Sequence, residues 1–343
     1  MAGPFTISIK DQELSDELRA FVVSISVCES IDELDALAVE FRVPVGAAAT
    51  KLLKLAVPGV TMAITFETDA GKLECAGDVM EVVHRSSGGG WLITLYGLER
   101  LHRLRKMTAV PKVWKGSHAK IVKSIAQAGG MTAKAEGVDD TAAFTLQFHS
   151  DDAAFLKHLA WQHNYFLRVE GSVLRFGRRS TTSGKTVKLK VGAEVDRYEI
   201  RSSLYDVATE VQTYGHDYMQ NKAVKGKAAK AKLTNISGGD TGAKLAAKAF
   251  GGRDVVLASL PITTTTAANA IAAAELQRRG DTFVRGQLRC EGRPDARSGK
   301  KLQVEAAPWP LTGPFVIRQS RHVYDIDGYT TDIEFYSDSL PNV

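Results

Sequence analysis

The sequence predicts an α+β, mainly β fold: two β-barrels separated by an α/β helix–hairpin insert, with a helical and loop insert inside the second barrel. Three observations predict it. Short strands of alternating apolar residues fill the first hundred positions. A capped helix feeding a tight hairpin occupies the middle. Alternating strands return and close the chain.

The first barrel is read over residues 1–105. "FTISIK" puts Phe5, Ile7 and Ile9 on one face, and "LAVEF" does the same with Leu37, Val39 and Phe41. After the Pro58-Gly59 turn signal, "GVTMAITFET" aligns Val60, Met62, Ile64 and Phe66. "CAGDVMEVVHRSSGGGWLITLYG" reads as two strands around Gly88-Gly89-Gly90.

The insert is read over 106–180. Leu98, Leu101 and Leu104 recur at three-residue steps, so a helical turn leads out of the barrel. "GSHAKIVKSIAQAGG" is a helix capped by Ser117, with Ile121, Val122 and Ile125 as its buried stripe and Gly129-Gly130 as its stop. "SDDAAFLKHLAWQHNYFLRVEGSVLRFG" begins with Ser150 as N-cap. Asp151 and Asp152 lie in the first turn, where the helix dipole favours negative charge. Phe155, Leu156 and Leu159 form its stripe. The period switches near Asn164, and Tyr165, Leu167 and Val169 then alternate into a hairpin turned by Glu170-Gly171. Trp161 and Tyr165 are expected to fill core.

The second barrel is read over 181–220 and 281–343. The region 221–280 holds a lysine-rich loop and an Ala-rich helix from about Thr266 to Arg279. "PFVIRQSRHVYDIDGYTTDIEFY" reads as a hairpin turning at Asp327-Gly328.

Composition narrows the function. The chain has 343 residues, 24% charged and 44% hydrophobic, ordinary values for a folded protein of more than one packed unit. No run approaches the ~20 apolar residues of a membrane helix, and no basic-then-apolar leader opens the chain. Cys28, Cys75 and Cys290 are three in number, widely spaced and without a CxxC pair, which signals neither a disulfide framework nor a thiolate zinc site. The net charge of +5 is concentrated in "KAVKGKAAKAK", where Lys222, Lys225, Lys227, Lys230 and Lys232 meet no acid. The run reads as a solvated loop. As a nucleic-acid foot it lacks interleaved aromatic rings to stack on bases.

Motifs for chemistry fail on their own requirements. "RSTTSGKT" has Arg179 where a phosphate-binding loop needs glycine, and the strand pattern "VKLKV" follows where the loop needs a helix N-terminus. His158 and His163 are five apart and share no helix face; His158 reads as solvent-facing and His163 as part of the helix stop. Asp325, Asp327, Asp332 and Glu334 cluster in "DIDGYTTDIE", but glycine falls at the fourth loop position, where a calcium loop needs it at the sixth. A tail-tip cell-wall hydrolase would need an acid pair or a His/Cys site. Carboxylate pairs are set by the fold and not by local spacing. Neither cofactor nor catalytic or metal-binding residue is assigned.

One resemblance covers nearly the whole chain. Ser150-Asp151, Phe155-Leu156, Leu159-Ala160, Tyr165, Leu167-Arg168-Val169 and Leu174-Arg175-Phe176-Gly177, in that order, resemble a signature of the phage late control D proteins. These are tail-hub proteins related to the hub part of VgrG spike proteins of type VI secretion. "GDVMEVV" (77–83), the helix after Ser117, and Gly313, Phe315-Val316-Ile317, His322, Gly328-Tyr329 and Thr331 also fall on the family's recurring positions. The resemblance implies a non-enzymatic homotrimer with two tube-like barrels per chain. Three copies would make a pseudo-sixfold adaptor between a hexameric tail tube and a separate trimeric spike. It also implies contacts with other baseplate proteins, no sequence-specific nucleic acid, and assembly in the bacterial cytoplasm into a virion or injection particle. The chain ends soon after the second barrel, so the spike is expected on another subunit. The lysine run has no counterpart in the family.

Overall fold

Alternation in the first hundred residues lays one face of each strand on a common core. The computed structural model describes residues 4–105, 111–138, 141–179, 185–258, 262–310 and 312–342. It begins with β1 (Phe5–Ile9), β2 (Gln12–Glu13), α1 (Asp16–Arg19), β3 (Val22–Ser30), β4 (Ala36–Pro44), α2 (Ala47–Leu55), β5 (Thr61–Thr68), β6 (Gly71–Ser87) and β7 (Gly90–Leu98). Ile7, Val27, Phe41, Ile64 and Phe66 are fully buried in one cluster. Each such side chain contributes about 1.5–3 kcal/mol by leaving water.

A 3-10 turn over Arg100–Leu104 leads into the insert. It comprises β8 (Lys112–Ser117), α3 (His118–Ala128), β9 (Thr132–Glu136), β10 (Thr141–Gln147), α4 (Asp152–His163), β11 (Tyr165–Glu170) and β12 (Val173–Arg178). Ser117 caps α3 as expected, its hydroxyl accepting the Lys120 N–H at 3.4 Å. The cap of α4 is Asp151 and not Ser150: its carboxylate accepts the Ala154 N–H at 2.7 Å. The charged acceptor lies one residue nearer the exposed N–H groups, and Ser150 instead gives its carbonyl to the Gln147 amide. Asn164, in the left-handed region at φ 52°, ends the helix and starts the hairpin. Ile121, Leu156, Leu159, Leu174 and Phe176 pack with Leu101 and Leu104 of the entering turn.

The chain then forms β13 (Val187–Lys190), β14 (Val195–Ser202), β15 (Glu210–Asp217), β16 (Lys222–Ala229), β17 (Gly238–Thr241), α5 (Gly242–Phe250), β18 (Asp254–Leu257), α6 (Thr265–Gly280), β19 (Val284–Glu291), β20 (Lys301–Glu305), β21 (Phe315–Asp325), β22 (Gly328–Ser337) and β23 (Ser339–Pro341). The fold is α+β and mainly β, as the patterning predicts.

The lysine run is not a loop. Residues 222–229 are strand β16, and Lys230–Lys232 form a 3-10 turn. Val224, Gly226 and Ala228 are buried while Lys222, Lys225 and Lys227 face solvent, a period-2 pattern disguised by the small inward residues. β16, β15 and β18 form a three-stranded sheet under α6. Its Ala-rich face lets the helix approach so closely that a methyl on Gly226 would run into the backbone of Ala268. The hairpin near the C-terminus turns at Ile326-Asp327, and Gly328 (φ 106°) already belongs to the returning strand.

The main sheet has 13 strands and holds a hidden duplication. Its order is β14-β19-β22-β21-β3-β4-β7-β6-β5-β1-β2, with β20 and β13 beside β21. The run β3-β4-β7-β6-β5-β1 is matched by β14-β19-β22-β21-β20-β13. Irregularities match too. The β6–β7 ladder shifts register between Val79 and Glu81, and the β21–β22 ladder between Ile317 and Gln319. The β3–β4 ladder shifts between Val22 and Ser24, and the β14–β19 ladder between Val195 and Arg197. One difference is that β1 meets β5 antiparallel whereas β13 meets β20 parallel.

Candidate functional site

Eight strands, β14-β19-β22-β21 followed by β3-β4-β7-β6, run side by side as one wall. Apolar residues such as Leu288, Ile333 and Val27 point to the cores, so the alternate residues face outward. On β14, β19, β22 and β21 that face carries Arg197, Glu199, Arg289, Asp332, Glu334 and Arg321, around a depression of about 610 Å3. Arg289 grips Asp332 with Nε and Nη2 at 2.7 and 2.8 Å. That fork holds the Asp332 carboxyl below the usual carboxylate range. Asp332 therefore belongs to a cross-strand ladder, and Asp325 accepts the Asp327 N–H within the turn.

The two halves of the wall meet where β21 pairs antiparallel with β3, from Gln319 opposite Ser30 to Tyr324 opposite Ile25. The β21–β22 hairpin thereby lays its tip on the first core. Tyr329 lies parallel to Phe66 with ring centroids 4.4 Å apart, and Tyr324 sits 4.7 Å from Phe5. His322 is fully buried there, its Nδ1 2.9 Å from the Tyr329 hydroxyl. Burial pushes its pKa down to about 4, so it is a neutral hydrogen-bonding ring at pH 7. Glu29, 2% exposed, receives the Arg297 Nε at 3.0 and 3.1 Å.

The outer ends of the wall are open. The β6–β5 ladder stops at Asp78, so beyond the bulge β6 pairs only with β7. From Arg197 onward β14 pairs only with β19. Among the described residues no strand covers either edge. His84 is exposed on β6, and Trp91 of β7 is 37% exposed.

A cleft of about 940 Å3 lies between the insert, α6 and the second half of the sheet, with Arg168, Arg175, Arg179, Arg297 and Lys300 among its walls. Arg175 is held by Glu136 and by Glu170, and Arg179 by Asp32 at 2.7 Å. Asp281 lies inside it, and burial pushes its carboxyl up to about 7.

The other conspicuous residues are scattered. His158 is exposed on α4, and His163 closes that helix 5.3 Å from the Tyr165 ring. Tyr165 is buried, but Trp161 is 41% exposed, a correction: its ring lies beneath the Arg278 guanidinium at 4.4 Å, which replaces a core neighbour. In the lysine run Lys227 pairs across the strand with Glu210 at 2.6 Å, and Lys225 lies 5.6 Å over Tyr214. Arg179 is the part of the phosphate-loop-like segment that bears on the cleft; residues 180–184 lie outside the described residues, and Val187–Lys190 is a strand. Burial pushes the Cys290 thiol up to about 12 and raises Cys75 and Cys28, the reverse of what activates a thiolate. Among the described residues no three His, Cys, Asp or Glu side chains are placed to hold a metal ion, and no helix is long and apolar enough to cross a membrane. The junction residues Glu29, Arg297, His322 and Tyr329 are not singled out as a group by local patterning. A signal exists: His84…Gly90-Trp91 and His322…Gly328-Tyr329 share one spacing.

The family described as "Alg8 N-terminal domain" matches residues 112–322, a description other than the late control D one that the helix–hairpin residues suggest. No curated protein matches the sequence. Among solved structures, the 43 kDa tail protein of prophage MuSo2 from Shewanella oneidensis aligns with a TM-score of 0.72 at 13% identity, covering 98% of this chain and 99% of that one. The tail protein from Neisseria meningitidis MC58 gives 0.70 at 12% identity, covering 98% and 97%. The E. coli c3393 protein, described as a component of the type VI secretion system, gives 0.61 at 11% identity, covering 93% and 74%. At these identities the likeness is one of fold.

Proposed function

The chain belongs to the Alg8 N-terminal domain family, and on that premise, joined to its tail-protein fold, we propose that it is a structural baseplate hub of a contractile phage tail or a phage-tail-like injection system. The observation that carries this reading is the duplicated wall. Each half of the chain gives four strands in the same order, so one chain can occupy two equivalent positions of a ring. Three copies then fill six positions and twenty-four strands, which suits a trimeric adaptor between a hexameric tube on one side and a separate trimeric spike on the other.

In this reading the late control D resemblance extends to function. Residues 1–105 form one tube-like barrel, and 181–220 with 281–343 form the other. The insert of 106–180 and the segment 221–280 stand outside the two barrels. The hub is made in the bacterial cytoplasm and carried in the particle. It works by position and binding, without catalysis. Negative-stain microscopy of particles from a producer strain lacking the gene, beside the complemented strain, tests it. Loss of assembled baseplates and sheathed tubes, restored by complementation, is expected; normal particles without the gene overturn the reading.

A further inference from the structure

The insert carries a small sheet of its own, β11-β12-β9, in which β11 is an outer strand. Val169 gives its N–H to Glu99, and the Tyr165 carbonyl receives Arg179 Nε at 3.5 Å. The odd-numbered residues of β11 therefore turn their backbone groups away from β12. Leu167 lies between those two. It is 9% exposed, with its side chain in the insert core, and its N–H and C=O meet no partner among the described residues. Backbone groups so placed are nearly always paired. Leu167 lines the cleft between the insert, α6 and the second half of the sheet, so whatever fills that cleft can reach this edge.

The cleft is also basic. Among the described residues, seven Lys and Arg side chains line it against three Asp and Glu. Several are already engaged: Arg175 lies between Glu136 and Glu170, Arg179 holds Asp32, and Arg297 holds Glu29. Lys300 is not. Its Nζ donates to the Asp295 carbonyl at 3.0 Å and pairs with no carboxylate among the described residues. Burial lowers its pKa, and the Arg297 and Arg168 charges act in the same direction. The loop from Arg297 to Lys300 faces β11, with Arg168 Nη1 3.5 Å from the Ser298 carbonyl. Like charges gathered in a half-buried cleft leave a surplus that an anion would neutralise. On the α6 side the cleft is lined by Ala270, Ala273 and Ala274, whose small side chains leave width for a chain.

We propose that this cleft takes an extended acidic segment of a partner protein, which adds as a strand to β11 at Leu167 and directs carboxylates at Lys300, Arg168 and Arg297. Pairing with Leu167 supplies backbone hydrogen bonds, and the cations select the side chains. Side chains of an added strand alternate between faces. Tyr165, Leu167 and Val169 point into the insert core, so Arg168 marks the other face, and carboxylates at every second position of the segment fall on it. A free carboxylate or phosphate can meet Lys300 but leaves the Leu167 carbonyl without a donor. The phosphates of a nucleic acid offer that carbonyl no N–H either. The volume of about 940 Å3 lies at the upper end for ligand clefts and admits several residues. The inference goes beyond the hub reading and does not depend on it, since its observations lie in the insert, α6 and the loop before β20.

Calorimetric titration of the full-length chain tests it, with a capped six-residue peptide of alternating valine and aspartate as the probe. Saturable binding is expected. The same peptide with lysine in place of aspartate should not bind, and one methylated at its backbone nitrogens should bind about tenfold more weakly. Lys300→Gln keeps a donor for the Asp295 carbonyl and should weaken binding about tenfold; adding Arg168→Ala should weaken it further. Hydrogen exchange places the site: the Leu167 amide should slow with the peptide and not with succinate. No saturable binding of the acidic peptide, equal binding of the methylated one, an unprotected Leu167 amide, or no change in Lys300→Gln overturns the proposal. Tighter binding of a ten-nucleotide oligothymidylate also overturns it and makes the cleft a nucleic-acid site. Each of these outcomes leaves the hub reading standing.

Discussion

His322 and Tyr329 close on each other across the β21–β22 hairpin, with ring centroids 6.1 Å apart, and His84 and Trp91 hold the same two positions in the β6–β7 hairpin at 6.3 Å. The first pair is sealed between the two halves of the sheet. The second stands open at the end of the wall.

Burial of His322 sets an acid limit on the folded chain. Its folded pKa, about 4, lies below the ordinary 6.5, so the unfolded chain takes up the proton first. The stability from neutral His322 is complete above pH 6.5 and drains as pH falls toward 4, about 3 kcal/mol in all. His322→Phe keeps a ring against Phe66, and Tyr329 keeps its bond to Thr331. Urea unfolding at pH 7 and pH 4.5 should show a smaller acid loss for the variant than for the parent.

Glu99 acts in the opposite direction. Its carboxylate accepts the Val169 N–H at 3.0 Å and so ties the insert to the end of β7. Burial pushes its pKa up to about 7, above the unfolded value, so its favourable contribution is complete below pH 4.5 and lost as pH rises through 7. Glu99→Gln keeps an oxygen for Val169 without the charge. The variant should match the parent near pH 5 and exceed it by about 2–3 kcal/mol at pH 8.5, read by denaturant unfolding.

The Glu29–Arg297 pair stitches the first core to the loop before β20. Arg297→Ala leaves a buried carboxylate without its counter-charge and should cost about 3–5 kcal/mol. Adding Glu29→Gln should recover a large part of that loss. An equal loss in single and double variants would show that packing of the arginine stem, and not its charge, holds the junction.

Gly226 tests the packing of α6 on β16. A methyl there meets the Ala268 backbone, so Gly226→Ala should lower the melting temperature by several degrees, a cost of about 1–3 kcal/mol. Lys225→Ala, on the exposed face of the same strand, should change it little.

What was legible in the sequence follows from side-chain size. Strands with Phe, Ile and Val inward, such as β1, β4 and β5, announce their faces, and Ser117 announces its helix. β16 hides because its inward residues are Val224, Gly226 and Ala228, too small to read as a stripe beside the lysines. Trp161 is misplaced by its size alone, since an arginine from α6 covers its ring. The duplication leaves almost no sequence trace. Paired positions keep burial, bulges and hydrogen-bond register while side chains differ, and the His…Gly-aromatic spacing is the main residue-level remnant. The junction is illegible because it joins residues about 290 positions apart, Glu29 with Ser320.

The most direct test of the central claim is an electron cryomicroscopy map of the particle's baseplate. The account predicts three copies in a ring between tube and spike, each filling two adjacent positions. Six copies in that ring, or a chain found away from the tube–spike axis, would contradict it.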